Sequence, residues 1–142
     1  TEEPLPGTIL YPIKDRDDSI NAAWADVLAA SQGEDIALLD VRRLEEYTGD
    51  EVRAKHGGHI PGASHVPWEK AMRDDSHFKS AGELREIYDV ADEKPVITYC
   101  QGGVRAAHTW FVLSELLDRN NVRNYDGSWA EWGNRDDLPV ET

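Results

Sequence analysis

The sequence predicts an α/β domain built on a parallel sheet, and three observations carry that expectation. Two short runs, residues 36–41 (Ile-Ala-Leu-Leu-Asp-Val) and 95–99 (Pro-Val-Ile-Thr-Tyr), are too brief for helices and apolar enough for strands buried on both faces. Helix-compatible stretches with apolar residues three and four apart lie between these runs and a third one at 122–125. The length, 142 residues, fits one core, and neither an internal repeat nor a second domain is visible. Strands alternating with helices imply a sheet covered on both faces and joined by right-handed crossovers.

Each element has a local reason. Residues 1–18 carry Pro4, Pro6, Gly7 and Pro12 and then the charged run Lys14, Asp15, Arg16, Asp17, Asp18, a composition suited to an extended arm or linker; the domain proper is expected over 19–142. Ser19 is expected to cap a helix in which Ile20, Trp24, Val27 and Leu28 recur on one stripe, ending near Gly33. The strand at 36–41 sets Asp40 at its carboxyl end, and residues 43–47 suit a short helix. A turn at 59–63 feeds a brief strand through His65 and Val66 that Pro67 stops. Ser80 and Glu83 have capping-box spacing ahead of a helix carrying Leu84, Ile87 and Tyr88. The strand at 95–99 runs directly into Cys100, and a helix over 106–117 aligns Trp110, Leu113, Leu116 and Leu117.

Fifteen basic against 28 acidic side chains leave a net charge of −13. Nucleic-acid backbones and anionic membranes need clustered Lys and Arg, so neither is an expected partner. Screening over about 8 Å at physiological salt still allows a few well-aimed donors to bind a small anion. Apolar runs such as 36–39 and 110–113 fall far short of the roughly 18 residues a membrane-spanning helix needs. Cys100 is the single cysteine, which excludes an internal disulfide and a thiolate-rich metal site. His56, His59 and His65 lie close in sequence without a ligand set, so no metal is expected. A lone reactive thiol suits the cytoplasm. The chain starts at Thr1 and its one methionine is Met72, which suits a processed product or a piece of a longer protein.

The chemistry concentrates at Cys100. In an open parallel sheet ligands bind beyond the carboxyl ends of the strands, where loops meet helix amino termini. Gly102 and Gly103 allow the loop to fold tightly and to converge backbone N–H groups on one point, and the following helix adds the positive end of its dipole. Both effects favour thiolate at Cys100, a nucleophile that needs neither metal nor cofactor. The competing reading is a small buried hydrophobe, the common fate of a lone cysteine.

Four motifs occur in order: Leu38-Leu39-Asp40-Val41-Arg42; Gly58-His59-Ile60-Pro61-Gly62-Ala63 with Pro67-Trp68; Cys100 to Arg105; and Tyr125-Asp126-Gly127-Ser128-Trp129-Ala130-Glu131-Trp132-Gly133. Over about 36–140 they resemble the rhodanese sulfurtransferases, in particular the catalytic carboxyl-terminal half of tandem-domain thiosulfate and mercaptopyruvate enzymes. The resemblance implies a three-layer α/β domain with a central parallel sheet of about five strands and helices on both faces. It implies that Cys100 takes sulfane sulfur from a small anionic donor such as thiosulfate, and passes it to cyanide, a thiol or an acceptor protein. The backbone of Gln101, Gly102, Gly103, Val104 and Arg105 is the expected anion cradle, with Asp40 and Arg42 supporting it. An amino-terminal rhodanese half, or another fused domain, upstream of Thr1 is compatible with the linker-like opening.

Departures from the family pattern concern the donor. Animal thiosulfate enzymes set a basic residue second after the cysteine, where this chain has Gly102; mercaptopyruvate-type loops carry a serine that is missing here. The arginine those enzymes bring from beyond the Asp-containing strand is replaced by Glu46, which leaves Arg105 as the candidate cation or, in the competing reading, a surface arginine paired with a carboxylate. Two rivals remain: a non-turnover sulfur carrier or docking module, and a cysteine-based phosphatase or arsenate reductase. The six-residue loop, shorter than that of the related dual-specificity phosphatases, favours sulfur over phosphate. Asp40 and Arg42 are expected to hold the site rather than react, His108 to pack, and Trp68, Trp129 and Trp132 to belong to the core.

Overall fold

The computed structural model describes residue 15 and residues 17–142. Four strands, β1 (Ala37–Asp40), β2 (Ser64–His65), β3 (Val96–Tyr99) and β4 (Val122–Asn124), pair in parallel in the order β2-β1-β3-β4. Five helices accompany them: α1 (Trp24–Ser31), α2 (Leu44–Thr48), α3 (Ala81–Ile87), α4 (Val104–Phe111) and α5 (Ser128–Trp132).

Side chains alternate across the two central strands, and this period of two builds the three layers. Leu39 and Val96 point into one core with Leu84 of α3, Ala106 of α4 and Leu113. Leu38, Ile97 and Tyr99 point into the other, with Val27 of α1 and with Trp129 and Trp132 of α5. Full burial of each aliphatic side chain contributes about 1.5–3 kcal/mol, which explains why β1 and β3 read as continuous apolar runs.

Three expectations are corrected. The sheet has four strands rather than about five among the described residues. Where a fifth would lie, Asn21 forms a single parallel bridge with Asn124 and the Ala22 amide donates to the Asn124 carbonyl at 2.9 Å; α1 begins two residues later, so the ladder stops. That bridge also holds Asn21 extended (φ −99°, ψ 140°), which breaks the helix expected from Ser19. A short 3₁₀ turn at Asp18–Ile20 is capped instead by Asp17, whose carboxylate accepts from the Ser19 amide at 3.0 Å, and Asp26 accepts from the Ala23 amide at 2.8 Å at the start of α1. The helix expected over 106–117 starts earlier, at Val104, and ends in a π turn at Val112–Leu116, where the Leu117 amide reaches the Val112 carbonyl at 3.1 Å.

Other boundaries fall close to expectation. Gly33 adopts φ +110° just beyond α1, and Ser80 and Glu83 exchange the two capping-box bonds, at 3.4 and 2.9 Å. The arm expected at 1–18 lies almost wholly outside the described residues. No helix among the described residues is long and apolar enough to cross a membrane.

Candidate functional site

Cys100 immediately follows β3, at the carboxyl edge of the sheet, and is 1% exposed. The chain turns through Gln101, Gly102 and Gly103 into the first turn of α4. The two glycines differ. Gly103 has φ +85°, where a side chain is strained, and a Cβ there would stand 3.0 Å from the Asp126 carbonyl oxygen and force the Asp126 carboxylate aside; a Cβ on Gly102 would meet open space. Val104, which begins α4, is 81% exposed.

A second segment clamps this loop from the side. The hydroxyl of Ser128 accepts from the amides of Cys100 and Gly103, both at 3.1 Å, and donates to the Tyr125 carbonyl at 2.7 Å. The amides of Trp129 and Ala130 donate to the carbonyls of Cys100 (2.9 Å) and Gln101 (2.8 Å). Ser128 sits at φ +52°, a left-handed conformation unusual for a residue with a side chain, held by these bonds at both ends. The expected cradle is thereby narrowed: the Gly103 N–H is turned to Ser128, whereas those of Gln101, Gly102, Val104 and Arg105 have no acceptor among the described residues. Gln101 is also tied outward, its Nε2 donating to the Arg53 carbonyl at 3.1 Å.

Behind the loop lies a closed polar cluster. Arg42 donates to Asp40 from Nε at 2.9 Å and from Nη2 at 2.6 Å, and from Nη2 to the Gly58 carbonyl at 2.7 Å. Its guanidinium lies 4.5 Å from the Trp129 ring centroid. Burial works against the charge on Arg42, and the hydrogen bonds to Asp40 outweigh it, raising its pKa. The same burial raises the Tyr99 phenol well above its ordinary range, and its oxygen accepts from the Ile60 amide at 3.1 Å.

Arg105 does not stand free. Its Nη1 and Nη2 donate to the two carboxylate oxygens of Glu46 at 2.7 and 2.9 Å. Glu46 is 1% exposed, so the partner is a buried carboxylate and not one of the many on the surface. Burial alone would raise the Glu46 pKa; the hydrogen bonds from Arg105 and the Arg43 amide reverse that and bring it down to about 2. Arg105 is correspondingly raised, first by its bonds to Glu46.

The histidines are engaged elsewhere. His59 stacks on Tyr47 with ring centroids 3.7 Å apart, and its Nδ1 lies 2.9 Å from the Tyr47 carbonyl; His65 Nε2 lies 2.9 Å from the Arg42 carbonyl. His108 packs edge-on against Trp68 at 5.1 Å, and burial lowers its pKa. Trp129 and Trp132 are both buried, their indole N–H groups donating to the carbonyls of His56 (3.1 Å) and Pro139 (2.8 Å). Among the described residues no cluster of His, Cys, Asp and Glu is arranged to hold a metal ion.

Two residues outweigh the weight sequence gave them. Ser128 stood inside a quoted motif, but its role depends on a positive φ and on amides 25 and 28 residues away. Glu46 was noted only for what it replaces, and its partner Arg105 is 59 residues distant.

Residues 23–135 match the model of the Rhodanese-like domain. A thiosulfate sulfurtransferase of Corynebacterium glutamicum is 43% identical over 143 residues, covering 93% of this chain and 48% of that protein. The sulfur carrier protein TtuD of Thermus thermophilus is 42% identical over 145 residues, covering 92% of this chain and 50% of that protein. The chain thus spans about half the length of the curated relatives it matches. Among solved structures, a variant of EanB with a cysteine persulfide in a tetrahedral intermediate state with ergothioneine superposes with a TM-score of 0.78 at 28% identity, covering 87% of this chain and 32% of that one.

Proposed function

Because the chain belongs to the rhodanese-like domain family, we propose that residues 19–142 act as a sulfurtransferase unit that carries sulfane sulfur on Cys100. The observation behind this reading is a buried cysteine at a strand-to-helix turn beside four backbone N–H groups that lack a protein acceptor. The Cys100 thiolate attacks the outer sulfur of thiosulfate, the donor's S–S bond breaks, and its electron pair leaves with sulfite. Cys100 then holds a persulfide anion. Cyanide attacks the terminal sulfur, thiocyanate departs, and the Cys100 thiolate re-forms, so charge and electrons balance without a cofactor.

The amides of Gln101, Gly102, Val104 and Arg105, with the positive end of α4, stabilise the negative charge of donor and persulfide. Gly103 supplies the turn, and Asp40 with Arg42 fixes the wall behind the loop. A chain segment with one cysteine cannot resolve its own persulfide, so the acceptor is cyanide, a thiol or a second protein. A reducing cytoplasm would keep that thiol free.

The test is thiocyanate formation from thiosulfate and cyanide. The expected result is turnover by the parent protein and none by Cys100→Ser; a variant as active as the parent removes the mechanism. The relative named as a sulfur carrier favours a second reading, in which a persulfidated partner protein is the donor. Sulfur uptake from such a partner without thiocyanate formation from thiosulfate would select it.

A further inference from the structure

Glu46 is a buried carboxylate that the sulfur-transfer step does not use, and its partner Arg105 ends the loop that Cys100 begins. It lies on α2, and three arginines converge on it. Arg105 gives both terminal nitrogens, Arg53 reaches Oε1 from Nη1 at 3.3 Å, and Arg43 approaches Oε2 from Nε at 3.5 Å while its amide donates at 3.1 Å. Arg105 is 22% exposed, Arg53 47% and Arg43 51%, so the carboxylate is the enclosed hub and the guanidinium groups are its outward ring.

The geometry at Arg105 decides what it can offer. A guanidinium recognises an oxyanion through two parallel N–H groups, and Glu46 already occupies one N–H on each terminal nitrogen. Arg105 belongs to the loop that Cys100 begins, its own amide is one of the four there without a protein acceptor, and its guanidinium is held by one permanent anion, Glu46. A doubly charged donor bound at the Cys100 loop would compete with Glu46 for that fork.

We infer that Glu46 sets donor specificity: it ties down the guanidinium of Arg105, at the end of the Cys100 loop, and withholds the Arg105 fork from the oxyanion end of the donor. The inference rests on the sulfurtransferase reading. The site accordingly favours sulfane donors of low charge, such as an alkanethiosulfonate, R–SO₂–S⁻, over thiosulfate, which offers the same outer sulfur with one more negative charge.

Steady-state kinetics of Glu46→Gln with thiosulfate and with methanethiosulfonate test this. Loss of the carboxylate frees the fork, so KM for thiosulfate falls about tenfold while KM for methanethiosulfonate falls no more than about twofold. Damage of a merely structural kind does not tighten one donor selectively. Glu46→Asp, one methylene shorter and able to hold Arg105 through a single oxygen, is expected to give an intermediate fall of about threefold for thiosulfate. If Glu46→Gln shows no cooperative melting, the Asp variant decides by the same criterion. An unchanged or higher KM for thiosulfate in a folded variant overturns the inference, as does an equal fall for both donors. Such a failure leaves the persulfide on parent Cys100 intact, whereas absence of that persulfide would remove the sulfurtransferase reading itself.

Discussion

Two arginine–carboxylate pairs are buried or half-buried in the domain, and they are held in opposite ways. Arg42 and Asp40, 1% and 0% exposed, close on themselves between the Gly58 carbonyl and the face of Trp129. Arg105 and Glu46 join α4 to α2, with the arginine 22% exposed and two more guanidinium groups sharing the carboxylate. The same residue types therefore make a wall in one place and an adjustable rim in the other. Burial of an ion pair says little about stability by itself, because desolvation consumes much of the attraction; what each pair can do follows from the groups left unsatisfied when it is broken.

The contrast separates residues whose loss unfolds the domain from residues whose loss silences it. The largest effect on chemistry is expected at Cys100→Ser, which loses all thiocyanate formation while its melting temperature stays close to the parent's, because the change is nearly isosteric. The largest effect on stability is expected at Arg42→Met, which strands the buried Asp40 carboxylate and costs about 3–5 kcal/mol in urea denaturation. A cost below about 1 kcal/mol would mean that the wall is no more structural than the rim. Ser128→Ala leaves two loop amides without their acceptor and is expected to cost about 1–3 kcal/mol, with kcat reduced more than KM is raised.

The acid limb of stability sharpens the comparison at the rim. The Glu46 pKa is about 2 in the folded protein and near the ordinary carboxylate value when unfolded. Its contribution, on the order of 2 kcal/mol, is fully present above about pH 4.5 and is lost as pH falls toward 2. Urea titrations between pH 6 and pH 2 should show a steeper acid loss in the parent than in Glu46→Gln; identical slopes would contradict the assignment. The smallest effect is expected far from both pairs: Ser80→Ala removes a helix cap, costing about 1 kcal/mol with no change in sulfur transfer.

What the sequence made legible was local or contiguous. β1 and β3 were readable because their branched apolar residues run unbroken between two cores, and Cys100 because a buried strand, two glycines and a helix follow one another directly. The Ser80–Glu83 box was readable from a spacing of three. What escaped depends on distant partners. Asn124 holds Asn21 extended and displaces the start of α1 from Ser19 to Trp24, a contact across 103 residues that no local propensity encodes. The π turn after α4, the left-handed backbone at Ser128 and the Glu46–Arg105 pair likewise follow from packing between elements. Even the glycine pair was only half legible, since a positive φ and the close approach of Asp126 favour glycine at 103, whereas a Cβ at Gly102 would meet open space.

The most direct test of the central claim is the intact mass of the purified protein before and after incubation with thiosulfate, with Cys100→Ser in parallel. A persulfide on Cys100 predicts a gain of about 32 Da that cyanide removes and the serine variant never shows. No gain in a parent protein whose thiol titrates as free, or an equal gain in the variant, would contradict it.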